Sequence, residues 1–192
     1  MDLMFIETTM VIFFPSMAIG NCKSETLYST LTDQAVFYGY FMPLLLKNVC
    51  YLSIHVGSFR DMLVPGMVST FQGICNLSTL EIKSDPEFFE SKTDCSGFNM
   101  GYWRWQNISF IHQLKEVTIE LSIGSNGIQF AKYVLEHAQN LKKMTVFHAP
   151  QQSKAVRKIT KSKIASSHWR SQCMPRVGTG PLSTIVVHTI LC

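Results

Sequence analysis

An apolar pattern of the form L-x-x-L-x-L, with conservative replacements, occurs four times and constrains the fold more than any other feature of the chain. The four copies begin at Val49, Leu77, Leu114 and Leu141, so their starts are separated by 28, 37 and 27 residues. The second half of each copy alternates apolar and other residues, as does a short strand with one face on a core. Such repeats predict that neighbouring units stack and share one core, because no unit can bury its apolar face alone.

A helix is predicted between the first two strands. Apolar residues recur at helical spacing from Val64 to Ile74, and Pro65 stands in the first turn, where its missing N–H costs nothing. Asn76 is expected to mark the end of this element.

A second helix is predicted between the last two strands. It begins at Gly127, with Asn126 as the N-cap and Gln129 completing a capping box, and Asn140 marks its exit. A strand, a helix and a further strand form a crossover with parallel strands. The fold class is therefore α/β, a short solenoid of the leucine-rich-repeat kind with parallel strands.

Composition and charge set broad limits on the chain. With 192 residues, of which 46% are hydrophobic, it has ample apolar content for one packed domain. The net charge is +4, and it is unevenly distributed, because residues 154–176 contain seven basic and no acidic residues. Global charge therefore says little about partners.

The basic segment is predicted to be an amphipathic helix with a basic face. Apolar residues stand at Ala155, Val156, Ile159 and Ile164. We expect a solvated face of a capping helix; the alternative is a surface that binds nucleic acid or an anionic surface. The candidate basic patch is Lys154, Arg157, Lys158, Lys161 and Lys163.

No pattern in the sequence indicates catalysis. The histidines have no partner at a recognised catalytic spacing, and the six cysteines form no C-x-x-C pair, so we interpret the cysteines as free thiols, with three disulfides as the alternative. The carboxylates between Asp85 and Asp94 are expected in a solvated loop, and the Gly124–Gly127 segment is interpreted as a β-α turn because it lacks the Lys of a P-loop. We therefore expect no enzyme, no cofactor and no metal.

One short segment is a candidate contact surface. GYWRWQ, at residues 101–106, mixes aromatic side chains and an arginine in a predicted loop. Such residues are common in interface hot spots, although they equally serve to pack a core. The candidate partner-binding residues are Tyr102, Trp103, Arg104 and Trp105.

The run from Ile111 to Ile164 resembles the FBD domain of plant F-box proteins. The matching features are LKEV at the first strand, a Gly/Asn-rich turn, YVLEHA at the end of the helix and LKKMTV at the second strand. The resemblance implies that a strand-helix-strand cap closes the C-terminal end of a leucine-rich-repeat arc. It also implies a substrate-recognition role in ubiquitin ligation.

The predicted organisation has four parts. Residues 1–45 form a poorly defined leader without an F-box, 46–110 form leucine-rich-repeat-like units with a loop insertion, 111–165 form the FBD-like domain, and 166–192 form an irregular tail. Without an F-box we expect no adaptor of a cullin-type ligase to bind.

The resulting functional hypothesis is a non-catalytic protein-interaction module. Its partner is an unidentified protein, and neither a small molecule, a membrane nor nucleic acid is the expected partner. The alternatives are the basic segment as a binding surface, or a truncated or pseudogene product without independent function. Asp2 and Glu7 precede the first basic residue, Lys23, which is atypical of a signal peptide, so we expect an intracellular protein, in cytoplasm or nucleus.

Overall fold

The chain forms an eight-stranded sheet with helices. The computed structural model describes residues 12–13, 23–28, 48–84, 95–122, 124–164, 169–175 and 183–189. The sheet order is β1-β2-β3-β4-β5-β6-β8-β7. The strands are β1 (Ile12–Phe13), β2 (Lys23–Tyr28), β3 (Val49–Val56), β4 (Thr79–Ser84), β5 (Glu116–Glu120), β6 (Lys143–His148), β7 (Trp169–Pro175) and β8 (Ser183–Thr189).

The four strands predicted from the repeat are β3 to β6, and they are parallel neighbours, which confirms the α/β class. Their register aligns the equivalent repeat positions: Leu52 pairs with Leu80, Leu80 with Val117 and Val117 with Met144. A shift of one residue between any two strands would place one apolar set on the opposite face. The repeat therefore sets the register of the sheet.

Four helices are described: α1 (Leu63–Gln72), α2 (Met100–Trp105), α3 (Asn126–His137) and α4 (Ser153–Ile164). Both predicted crossover helices are confirmed, α1 between β3 and β4 and α3 between β5 and β6. α1 is capped by Gly73, so it ends before Asn76. Single 3₁₀ turns lie at Ser109–His112 and Pro150–Gln152.

The inward residues of the strands and the apolar faces of the helices form one core across the described residues. An aromatic group lies within it: Phe71 packs edge-on against Phe110 at 5.5 Å and stacks on Phe130 at 5.7 Å. Trp103 adds to this group, with its ring 4.8 Å from that of Phe130. The core crosses the predicted boundary near residue 110 without interruption.

The structure contains four strands in the two ends of the chain that were expected to be irregular. β1 and β2 lie within the leader, and β2 pairs in parallel with β3. β7 and β8 lie within the predicted tail, where β8 pairs antiparallel with β6. The physical reason is that β3 and β6 would otherwise present unpaired backbone groups at the sheet edge, and Ile185–Val187 is a β-branched run suited to such pairing.

The predicted loop at GYWRWQ is instead largely helical, as α2. The Asn99 side chain accepts a hydrogen bond from the Tyr102 N–H at 3.2 Å and so caps the helix. Trp103 then anchors it by complete burial in the core. This helix was not predicted from the sequence, because Gly101 and the aromatic residues have modest helix propensity.

Asn126 was predicted to cap α3 and does not. The N-cap is Ser125, without a side-chain cap, whereas Asn126 is the first helical residue and is completely buried. Its amide donates to the Phe59 carbonyl at 2.8 Å and to Asp61 Oδ1 at 2.7 Å. Its carbonyl oxygen accepts from the Phe98 N–H at 3.0 Å. We call these contacts the Asn126 node, because they join three segments that are distant in sequence.

The predicted β-α turn is present at Gly124 and Ser125, directly before α3, and its geometry requires Gly124. Gly124 has a φ of 110°, and a Cβ there would lie 2.4 Å from Cys95 Cβ. The Ser125 N–H donates to the Cys95 carbonyl at 3.0 Å, so the two segments are tightly apposed. A side chain at residue 124 would therefore be both strained and blocked.

The prediction of free thiols is correct for Cys75 and wrong for Cys50. Cys75 is an exposed free thiol, whereas Cys50 is disulfide-bonded. The scattered spacing of the six cysteines in the sequence gave no indication of this bond. Cys50 lies at an irregularity of the sheet, because Lys23 pairs with Val49 but Ser24 pairs with Tyr51.

Replacing Ile119 with Ala tests the assignment of strand faces. Ile119 is completely buried, so we expect Ile119→Ala to lower the free energy of unfolding by about 2–5 kcal/mol. Thr118→Ala, one residue away on the opposite face, should cost less than about 1 kcal/mol. Urea unfolding of both variants measures the difference, and equal losses would contradict the assignment.

Replacing Asn126 with Ala tests the node. The change leaves the Phe59 carbonyl and the Phe98 N–H without their partner in a buried site, so we expect a loss of about 2–4 kcal/mol. The matched control is Asn140→Ala, because exposed Asn140 donates to the His112 carbonyl where water can replace it. Thermal or urea unfolding in which both variants lose the same stability would refute the role of the node.

Candidate functional site

The face of the sheet opposite the core is predominantly polar. Side chains alternate along a strand, so the residues between the apolar repeat positions lie together on this second face. The parallel register then places them in rows, with Ser53 beside Glu81 and Glu81 beside Thr118. We call this set the polar face; it comprises Tyr51, Ser53, His55, Thr79, Glu81, Lys83, Glu116, Thr118, Glu120, Lys143, Thr145 and Phe147. Three of these residues, Ser53, Glu120 and Thr145, are buried, and the others are partly or fully exposed.

Glu81 is the centre of a hydrogen-bond network on the polar face. The Tyr51 hydroxyl donates to Glu81 Oε2 at 2.8 Å, and the Ser53 hydroxyl donates to the same oxygen at 3.1 Å. Lys83 Nζ lies 3.1 Å from that oxygen. Three donors from two neighbouring strands therefore converge on one carboxylate, which fixes its position.

The network shifts the pKa of both Glu81 and Tyr51. Burial raises the pKa of the Glu81 carboxyl, but hydrogen bonds from Tyr51 and Lys83 and the Lys83 charge outweigh burial, so the pKa is lowered from 4.5. Burial raises the pKa of Tyr51, as do its hydrogen bond to Glu81 and the charge of that carboxylate. At neutral pH the network thus holds an ionised acceptor and a protonated phenol.

His55 extends the network along β3. Its Nε2 lies 3.3 Å from the Ser53 hydroxyl oxygen. Because Ser53 gives its only hydroxyl proton to Glu81, the contact requires a proton on His55 Nε2. Burial lowers the pKa of His55 below its ordinary 6.5, and the Lys83 charge lowers it further, whereas Glu81 opposes both. The contacts of Tyr51, Ser53, His55 and Lys83 with or around Glu81 thus form a fixed set of donors and acceptors.

The four predicted partner-binding residues do not share one surface. Trp103 is completely buried, and its Nε1 has no hydrogen-bond partner among the described residues. Tyr102 is half-buried against Phe98, with their rings 4.4 Å apart. Arg104 is exposed and pairs with Glu136 at 2.9 Å. Trp105 remains as an exposed aromatic side chain, at 86%.

The predicted basic helix is α4. Lys154, Arg157, Lys158 and Lys161 are exposed along it. Lys163 lies in the same helix, but its side chain falls outside the described part of the chain. The opposite side of α4 is apolar and buried, which confirms the amphipathic pattern.

The residues of the Glu81 network were not predicted from the sequence. The available signal was the set of variable positions within L-x-x-L-x-L, where Tyr51 and Ser53 alternate with buried residues. The loop carboxylates from Asp85 to Asp94 lie outside the described residues. Within the described residues, no group of three or more His, Cys, Asp or Glu could hold a metal ion. No described helix is long and apolar enough to cross a membrane.

The fold and the site define an α/β protein in which the four parallel strands β3 to β6 carry a polar face. Residues 110–146 match the model of the FBD family, so the chain contains an FBD domain over this segment. The match covers β5, α3 and most of β6, the strand-helix-strand unit expected from the sequence. No curated protein matches the chain.

The pKa of His55 tests the electrostatics of the polar face. The folded-state pKa is depressed, so the associated stability is present above pH 6.5 and is lost as pH falls through the folded pKa. Lys83→Gln should raise the pKa of His55, and Glu81→Gln should lower it, because their charges act in opposite directions. Imidazole NMR titration measures both changes.

The control is Lys143→Gln, which removes an equal charge on β6, three strands away from β3. It should leave the His55 titration unchanged. A His55 pKa that is insensitive to Lys83→Gln, or equally sensitive to Lys143→Gln, would refute the predicted local interaction.

Proposed function

We propose that the chain is a non-catalytic protein-interaction module and that the polar face binds its protein partner. The proposal rests on the polar face. The strand register aligns its donors and acceptors in rows, and the face extends onto the FBD domain. An FBD domain suggests an F-box-associated interaction role. The finer proposal is a role like that of the substrate-recognition region of plant F-box/FBD proteins.

The architecture we propose is a short solenoid of the leucine-rich-repeat kind. Backbone hydrogen bonds between equivalent positions support it: Ser78 N–H donates to the Cys50 carbonyl, Lys115 N–H to Ser78 and Lys142 N–H to Lys115, at 2.9, 2.8 and 2.7 Å. The same backbone hydrogen bond therefore recurs at the start of each successive strand and joins that strand to the preceding one. A solenoid of this kind presents its strands as an extended binding surface.

The chemistry of the polar face favours protein recognition through hydrogen bonds and charge. Glu116 on β5 pairs in the register with Lys143 on β6, so charges of opposite sign alternate between these neighbouring strands. Such alternation strengthens the binding of a partner with complementary charges. It weakens the binding of other proteins, because they would leave charges unpaired. Because Glu81 is already fixed by three donors, the surface loses little conformational freedom when a partner binds.

A substitution at the centre of the polar face tests the proposal. The full chain is first used as bait in a pull-down from plant extract. The protein partner that it recovers is identified and then purified. Thr118→Arg places a long charged side chain on β5, and we expect it to weaken that partner's binding by about tenfold or more, because it prevents close contact at the interface centre. Calorimetry on the purified pair gives the affinity.

The matched control is Gln139→Arg, the same new side chain at an exposed position after α3. It should bind as the unchanged chain does. Equal affinity of both variants would exclude the polar face as the binding surface, and the absence of any specific partner under native conditions would refute the interaction role.

A further inference from the structure

A row of basic side chains follows one side of α4. Lys154, Arg157, Lys158 and Lys161 are spaced as i, i+3, i+4 and i+7, which places them on one helical face. All four side chains are exposed. With a rise of about 1.5 Å per residue, the row is roughly 10 Å long. We call it the basic row.

Burial of the opposite face fixes the orientation of the basic row. Val156 is completely buried and Ile159 is nearly so, and both belong to the main core. The helix therefore cannot turn its basic side inward without removing these residues from the core. The charges are presented to solvent by a packed helix, which lowers the ordering cost of binding.

The surroundings of the basic row contain little negative charge. α4 contacts α3, β7 and β8, and neither α4 nor those two strands contain an acidic residue. The acidic residue of α3 is Glu136, which pairs with Arg104 and Lys132. In the described residues, no ion pair involves Lys154, Lys158 or Lys161.

We propose that the basic row binds the phosphate backbone of nucleic acid, as an activity separate from the polar face. A DNA duplex carries a negative charge about every 1.7 Å along its axis, so a row of roughly 10 Å meets several phosphates. An anionic membrane fits less well, because the apolar side chains of α4 are buried and cannot insert between lipids. The proposal takes up the alternative given for the basic segment in place of a merely solvated face, because the structure buries the apolar side of α4 and exposes Lys154, Arg157, Lys158 and Lys161.

The test is fluorescence anisotropy of a labelled random-sequence DNA duplex with the full chain over a range of salt concentrations. Four phosphate contacts predict a slope of about −3 to −4 in log affinity against log salt. Lys158→Gln combined with Lys161→Gln should weaken binding by about tenfold and reduce the magnitude of the slope by about 2.

The matched control is Lys115→Gln combined with Lys142→Gln, two exposed lysines that lie outside α4 and directly precede β5 and β6. It removes the same charge and should leave the affinity for the duplex nearly unchanged. The proposal is overturned if the duplex does not bind at low salt or if both double variants lose affinity equally. It is also overturned if phosphatidylserine vesicles, but not the duplex, lose binding in the α4 variant.

Discussion

The in-register pairing of four parallel strands is the constraint on which the rest of the structure depends. It brings Leu52, Leu80, Val117 and Met144 into one row on one face of the sheet, where the helices cover them. Since side chains alternate along a strand, the same register places the intervening residues in rows on the other face. The hydrophobic pattern that builds the core thus also creates the polar face.

The sequence predicted those parts of the fold that depend on the local periodicity of apolar residues. The four repeat strands, α1, α3 and the amphipathic character of α4 all follow from the spacing of apolar residues. The strands in the leader and the tail did not, because their pairing depends on which sheet edges remain open once the repeat has assembled. Helix α2 was also missed, since burial of Trp103 stabilises it despite weak local propensity.

The candidate site was predictable only as a surface. The Glu81 network joins residues about 30 positions apart, from Tyr51 in β3 to Glu81 in β4, and only the register brings them together. The Asn126 node depends on still longer separations, of 65 and 67 residues to Asp61 and Phe59. The sequence around Asn126 is equally typical of a helix N-cap and of a buried hydrogen-bonding residue. Only the tertiary structure distinguishes these two roles.

The strand register can be measured directly by NMR on a sample with isotopically labelled isoleucine methyl groups. Ile54 pairs with Ile82, and Ile82 with Ile119, all buried on the core face. Since neighbouring strands lie about 4.8 Å apart, the in-register sheet predicts nuclear Overhauser contacts from the Ile82 methyl groups to those of both Ile54 and Ile119. If all three residues give resolved signals but Ile82 contacts neither neighbour, the in-register parallel sheet is contradicted.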